Sequence, residues 1–259
     1  EKNDLTKGNF SLINDEKRFD GRKLNEFRNV SVTNNVSENA EGSAIVKIGD
    51  TEVIAGVKMA TTVPYPDSPD DGTLMVTAEF LPMANPDFSA GPPSIQAIEL
   101  ARVIDRGIRE SKMVDMKKLC ITKGELVWMA FIDLYIINDD GNLIDAAALA
   151  AIAALKDAFM PKLDKENKLL HELSSKKLPI IEDRVPLTCT VFKIGKNLFV
   201  DPVLAEEKEN DARISIGISS EGDINSMQKG GITALTLDEI DQAVELAKKA
   251  TDDLRKILK

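Results

Sequence analysis

The chain has 259 residues, of which 43% are hydrophobic and 29% charged, a composition that excludes disordered, collagenous and disulfide-stapled classes and suffices for a sizeable core. Its net charge of −10 argues against whole-surface attraction to nucleic acid, although a local basic face stays possible. The longest wholly apolar run, Ala146 to Leu155, falls well short of the roughly 18 residues of a membrane span, and EKNDLTKGNFSL holds no apolar signal core, so a cytoplasmic protein with no membrane partner is expected.

After a polar arm, Gly42 to Thr61 reads as two β-branched runs broken at Ile48-Gly49-Asp50, the pattern of a hairpin. The loop VPYPDSPDDG should be exposed, and a third strand should follow at Thr73–Leu81. From Ser94 to Ser111 the period becomes helical, with Ala97, Ala101, Ile104 and Ile108 as the apolar stripe. Strands return at Leu119–Thr122 and Leu126–Asn138, ending in a turn at Asp139-Asp140-Gly141. Asp145 to Phe159 is apolar all round, so as a helix it should be buried between layers.

Residues 161–186 turn charged and proline-flanked, which suggests a connector between an N-terminal half, 1–160, and a C-terminal half, 187–259. Further strands are expected at Thr188–Ile194, Leu198–Val200, Arg213–Ser219 and Ile224–Met227. Thr236 and Glu239 form a capping box for a last helix whose core face is Ile240, Val244, Ala247, Thr251, Leu254 and Leu258. Strand runs followed by helices imply an α+β fold in layers.

Cys120 and Cys189 lie in apolar runs and read as buried free thiols; His171, the sole histidine, reads as a solvated helix or loop position. Ser-His-Asp catalysis and a histidine metal site are therefore poor fits, and neither metal nor cofactor is expected. At about 100° per residue, Arg102, Arg106 and Arg109 share one helix face opposite the apolar stripe. Guanidiniums suit bidentate phosphate contacts, but Glu99, Asp105 and Glu110 stand at salt-bridge spacing, and spacing alone favours a salt-bridged solvated face. Asp201, Glu206, Glu207, Glu209 and Asp211 could hold a metal or supply a general acid, or could be an ordinary acidic loop. Gly230-Gly231 reads as a phosphate-cradling turn or a simple connection before the last helix.

RFDGRKLNEFRNVSV followed by EGSAIVKIGDTEVIAGV, and then the helix ELARVIDRGIRES, resembles the ribonuclease PH family across nearly the whole chain. Within that family the likeness, carried by FVDPVLAEEKENDARI, MQKGG and YPDSPDDG, is to the archaeal exosome ring subunit that partners the catalytic one. The resemblance implies a two-layer α+β fold of the ribosomal-protein-S5-like type. It also implies a hexameric ring of three heterodimers with a catalytic paralogue, RNA-binding cap subunits, and single-stranded RNA degraded from its 3′ end by inorganic phosphate.

Active relatives bind that phosphate with a D-G-G-T/S-R-x-A loop. The matching stretch here is Asp140, Gly141, Asn142, Leu143, Ile144, Asp145, Ala146, so the arginine position is Ile144 and Asp145 adds a negative charge beside the site. Of the family's two catalytic aspartates, Asp201 matches the first while Glu207 stands at the second. The resemblance thus implies no catalytic residue in this chain, a degenerate phosphate loop at Gly141, Asn142 and Ile144, and degenerate carboxylates at Asp201 and Glu207. It places Arg102 and Arg106 on RNA, with Arg109 either beside them or paired with Asp105. The alternative is a self-sufficient ribonuclease of the same family.

Overall fold

The computed structural model describes residues 18–258, apart from the side chain of His171; residues 1–17 of the first half lie outside that range. Apolar residues alternate along β2 (Gly42–Ile48) and β3 (Thr51–Thr62), which pair through a two-residue turn at Gly49-Asp50 and bury Ala44, Val46, Ile48, Val53, Ala55 and Val57 on one face. The first sheet runs β1 (Val30–Asn34), β2, β3, β6 (Leu126–Asn138) and β4 (Thr73–Phe80), with the short β5 (Cys120–Thr122) also on β6. Only β4 pairs in parallel, with β6; α1 (Ile95–Ser111) lies in the connection between these two strands and packs back on β4.

The alanine-rich helix α2 (Leu143–Asp157) lies on β2 and β3 with one side and on β9 (Leu187–Ile194) with the other. That is why every residue from Asp145 to Leu155 is buried and why small side chains dominate: the helix is covered on opposite faces. Gly42 fits there because a Cβ would collide with the backbone at Ala154 and Ala158. The helix stops at Asp157, short of the expected Phe159, which instead opens β7 (Phe159–Leu163).

β7 pairs with β8 (Leu169–Lys177), so most of residues 161–186 is a hairpin followed by a short 3₁₀ turn, Glu182–Arg184. The backbone at position 171 belongs to β8, not to a helix or loop, and the His171 side chain is outside the described residues. The second sheet is antiparallel, in the order β10 (Asn197–Val200), β9, β11 (Ala212–Ile218) and β12 (Ile224–Gly231). Between β10 and β11 the chain makes the short helix α3 (Leu204–Lys208). On this sheet lies α4 (Leu237–Ile257), started by the Thr236–Glu239 capping box, and it buries Ala243, Ala247, Ala250, Thr251 and Leu254.

Each half is therefore a sheet carrying helices, an α+β layered arrangement, and the halves meet where α2 crosses β9. Cys189 is buried as expected, whereas Cys120 is half-buried because β5 is a three-residue strand at the margin of its sheet. Among the described residues no helix is long and apolar enough to cross a membrane.

Candidate phosphate loop and RNA-facing helix

β6 delivers Asp139-Asp140-Gly141 to the start of α2. Gly141 (φ +85°) has no room for a side chain, since a Cβ would stand 2.8 Å from Pro202 O and Leu204 N. The loop is thus pressed onto the segment after β10. Asn142 follows in a left-handed conformation (φ +60°) and its N–H, at the positive end of α2, donates to Glu207 Oε2 at 2.7 Å. An external anion would need that same donor. Burial raises the pKa of Glu207, and the Asn142 amide works against it.

The rest of the loop is tied equally closely. Gly141 N donates to Asp139 Oδ1 (3.0 Å), Asn85 Nδ2 to Asp139 Oδ2 (2.7 Å), and Thr51 Oγ1 to Gly141 O (2.6 Å). Arg28 Nη1 donates to Asp140 O and Oδ2, and Arg28 Nη2 to Gly141 O. Ile144 is half-buried and lines a cavity with Phe80, Phe88, Leu100, Leu143 and Leu204.

Asp145 stands beside the loop, close to the Asn142 side chain and to Asp201, but its carboxylate is turned into the core. There it accepts from Thr190 N (3.0 Å) and Thr190 Oγ1 (2.8 Å), and Thr190 Oγ1 is 2.9 Å from Ser215 Oγ. The side chain points toward β9 because α2 is sandwiched there, and the carboxylate at the mouth is that of Glu207 instead. Burial pushes the Asp145 pKa up to about 7, against the lowering effect of the Thr190 donors.

The acidic cluster is not assembled around one point. Asp201, fully buried and at φ +48°, accepts from Arg28 N (2.7 Å), Nε (3.0 Å) and Nη2 (2.8 Å), from Arg22 Nη1 (2.9 Å) and from Asn142 Nδ2 (2.9 Å). Glu206, also fully buried, pairs with Arg18 through Nε (3.2 Å) and Nη2 (2.5 Å). Arg18 further donates to Val200 O and Asp201 O and lies over the Phe199 ring. Asp211 accepts from Gly195 N at 2.7 Å.

Asp201, Glu206, Glu207 and Asp211 thus each have their own donors, and among the described residues no group of His, Cys, Asp and Glu is placed to hold a metal ion. Sequence reasoning missed Arg18, Arg22, Arg28 and Glu206 as the partners in this network. The RFDGR segment and the acidic run were both visible, but nothing local joins positions nearly 190 residues apart. Gly230-Gly231 is neither a cradle nor a connection: both residues end β12, and Gly230 lies against the Arg213 guanidinium, where a Cβ would come within 2.8 Å of Arg213 Cζ.

The arginine helix is arranged differently. Ser94 caps α1 by accepting from Ala97 N (3.2 Å), and Ala97, Ala101, Ile104 and Ile108 are buried as the stripe requires. Arg102, Arg106 and Arg109 are on the exposed side. Arg109 is engaged: Nε and Nη2 reach Asp105 at 3.1 and 2.9 Å, and Nη2 also reaches Leu74 O at 2.9 Å. Glu99 pairs with Arg213, across to the second sheet, instead of with Arg102. Among the described residues Arg102 and Arg106 have neither a hydrogen-bond nor an ion-pair partner. Both line a groove of about 700 Å³ between α1, β4 and β12, with Tyr65, Met75, Ile98 and Met227. Among the described residues the salt-bridged face is realised at Arg109, through Asp105.

Two sheets with layered helices, a strand-to-helix loop at the α2 start and an arginine face on α1 define a layered α+β class. The chain belongs to the 3′ exoribonuclease family, RNase PH: domain 1 of the family matches residues 26–161 and domain 2 matches residues 184–250. Among its relatives is the exosome complex component Rrp42 of Methanothermobacter thermautotrophicus, 47% identical over 243 residues, covering 94% of this chain and 90% of that one. The protein of the same name from Sulfurisphaera tokodaii is 46% identical over 243 residues, covering 93% and 88%. A solved structure described as the Archaeoglobus fulgidus exosome with RNA bound to the active site superposes with a TM-score of 0.92 at 41% identity, covering 98% of this chain and 97% of the other.

Proposed function

We propose that this chain is a ring subunit of an archaeal-type exosome, a phosphorolytic 3′-to-5′ exoribonuclease, in which it contacts RNA and leaves the chemistry to a catalytic paralogue. The names of its relatives and the RNA-bound exosome structure it resembles support the assembly. One observation carries the division of labour: the amide at the start of α2 is already taken by Glu207, with Ile144 where a phosphate-binding arginine would stand. An apolar side chain offers phosphate no donor, and a fixed carboxylate repels it. Asp201 is saturated by Arg22, Arg28 and Asn142, so it cannot serve as a free general acid.

Arg102 and Arg106 hold the phosphates of a single strand along the α1 groove, and Arg109 buttresses that face through Asp105. The ring is a trimer of heterodimers with cap subunits, acting in the cytoplasm. Within the chain, residues 1–160 and 187–259 are the two halves, with 161–186 the segment between them.

Oligoribonucleotide incubated with inorganic phosphate should stay intact with this chain alone and shorten when the catalytic paralogue is added. Ile144→Arg should not confer activity, because Glu207 still occupies the amide. Phosphate-dependent shortening by rigorously pure wild-type chain would overturn the reading in favour of a self-sufficient enzyme.

A further inference from the structure

We propose that Tyr65 is a stacking platform for one RNA base, which fixes the register of the strand whose phosphates meet Arg102 and Arg106; the inference rests on the RNA-contacting reading above. Tyr65 is the aromatic residue lining the α1 groove, and it is 62% exposed. Its ring is packed against no other aromatic ring among the described residues. Tyr65 and Arg109 line the same groove, so ring and arginine face belong to one surface.

The loop presenting it is held firmly. Pro64 beside it is buried, Ser68 N donates to Tyr65 O (3.0 Å), Gly124 N to Pro69 O (2.8 Å) and Gly72 N to Met116 O (2.8 Å). An exposed aromatic on a pinned turn loses little side-chain freedom when a flat partner covers it. Single strands are bound by cationic grooves that follow the backbone together with aromatic rings that take base faces, a combination tolerant of sequence. Arg102 and Arg106 stand one helical turn apart, about 6 Å along the axis. The half-exposed Met75, Ile98 and Met227 extend the groove's apolar floor, which accepts base faces and offers phosphates nothing.

The test uses the ring assembled with the catalytic paralogue, in phosphate-free buffer, with a short oligouridine and a set of the same strand carrying one abasic position each. Tyr65→Ala should weaken the intact strand at least roughly fivefold without changing the dependence of log affinity on log salt, while Tyr65→Phe stays near wild type. At one abasic position, and only there, Tyr65→Ala should cause no further weakening. Equal losses on every abasic strand, or no loss on the intact one, would overturn the proposal. So would a Tyr65→Ala ring that fails to assemble while Tyr65→Phe assembles, which would make the aromatic side chain a subunit contact. Failure of the underlying reading shows separately, as an unchanged affinity and salt slope in Arg102→Glu/Arg106→Glu.

Discussion

The start of α2 and the outer face of α1 both present groups that favour anions, and they are finished in opposite ways. At α2, the amide of Asn142, the guanidiniums of Arg18, Arg22 and Arg28, and the carboxylates of Asp201, Glu206 and Glu207 satisfy one another inside the chain. At α1, Glu99 is drawn away by Arg213 and Asp105 by Arg109, which leaves Arg102 and Arg106 with no partner among the described residues. Charge already neutralised holds the fold together; charge left over is available to a ligand. Residue type alone does not separate the two cases, because both regions are rich in arginine and acid.

The largest expected effect breaks the neutralised side. Asp201→Ala leaves Arg22 and Arg28 without their buried counter-charge, and breaking such a pair costs about 3–5 kcal/mol. The urea midpoint of the variant should fall sharply with an unchanged slope. A variant of wild-type stability would show that Asp201 is not the clamp joining the RFDGR segment to the second half.

Next comes the open side. Arg102→Glu/Arg106→Glu should leave ring assembly intact, because both residues lie opposite the buried stripe. It should weaken RNA binding and flatten the dependence of log affinity on log salt by roughly 0.7 for each phosphate that is no longer neutralised. The salt slope is the sharper readout, since misfolding lowers the active fraction without altering it.

A third test uses Asp145, whose folded pKa of about 7 lies above its ordinary 3.8. The folded protein therefore holds this proton more tightly than the unfolded chain. The contribution is present in full at acidic pH and is lost as pH rises from about 4 through about 7. In that window the wild type should lose stability relative to Asp145→Asn, by at most about 1.4 kcal/mol per pH unit for one proton. Parallel denaturation curves for the two proteins across the window would place the Asp145 proton elsewhere.

What could be read from the chain followed the same division. The β2–β3 hairpin, the α1 stripe and the α4 capping box were legible because periodicity and capping are local. The β7–β8 hairpin was not, since β8 is mostly exposed and polar, β7 is only five residues with a proline at its centre, and neither carries the alternation that would distinguish it from a charged connector. Ile144 and the arginine face were legible as residues in a motif. Which carboxylate fills the α2 start was not: Asp145 is nearer in sequence, but the helix turns it toward Thr190 and a residue 65 positions on from Asn142 arrives instead.

Arg109 gives the smallest effect and the finest division between the two regions, because it sits on the open face yet is bonded like the closed one. Its guanidinium commits three hydrogen bonds to Asp105 and Leu74 O, and its side chain remains 44% exposed. An exposed i,i+4 pair of this kind contributes about 0.5 kcal/mol, so Arg109→Gln should change stability little. A guanidinium that gave up Asp105 for a phosphate would gain little, whereas Arg102 and Arg106 exchange only water for it. Arg109→Gln should therefore leave the salt slope of RNA binding where it is, in the same ring in which the Arg102 and Arg106 substitutions lower it. A slope reduced by roughly 0.7 in Arg109→Gln would show that it trades Asp105 for the strand, and the row of phosphate-binding groups would then run through all three arginines.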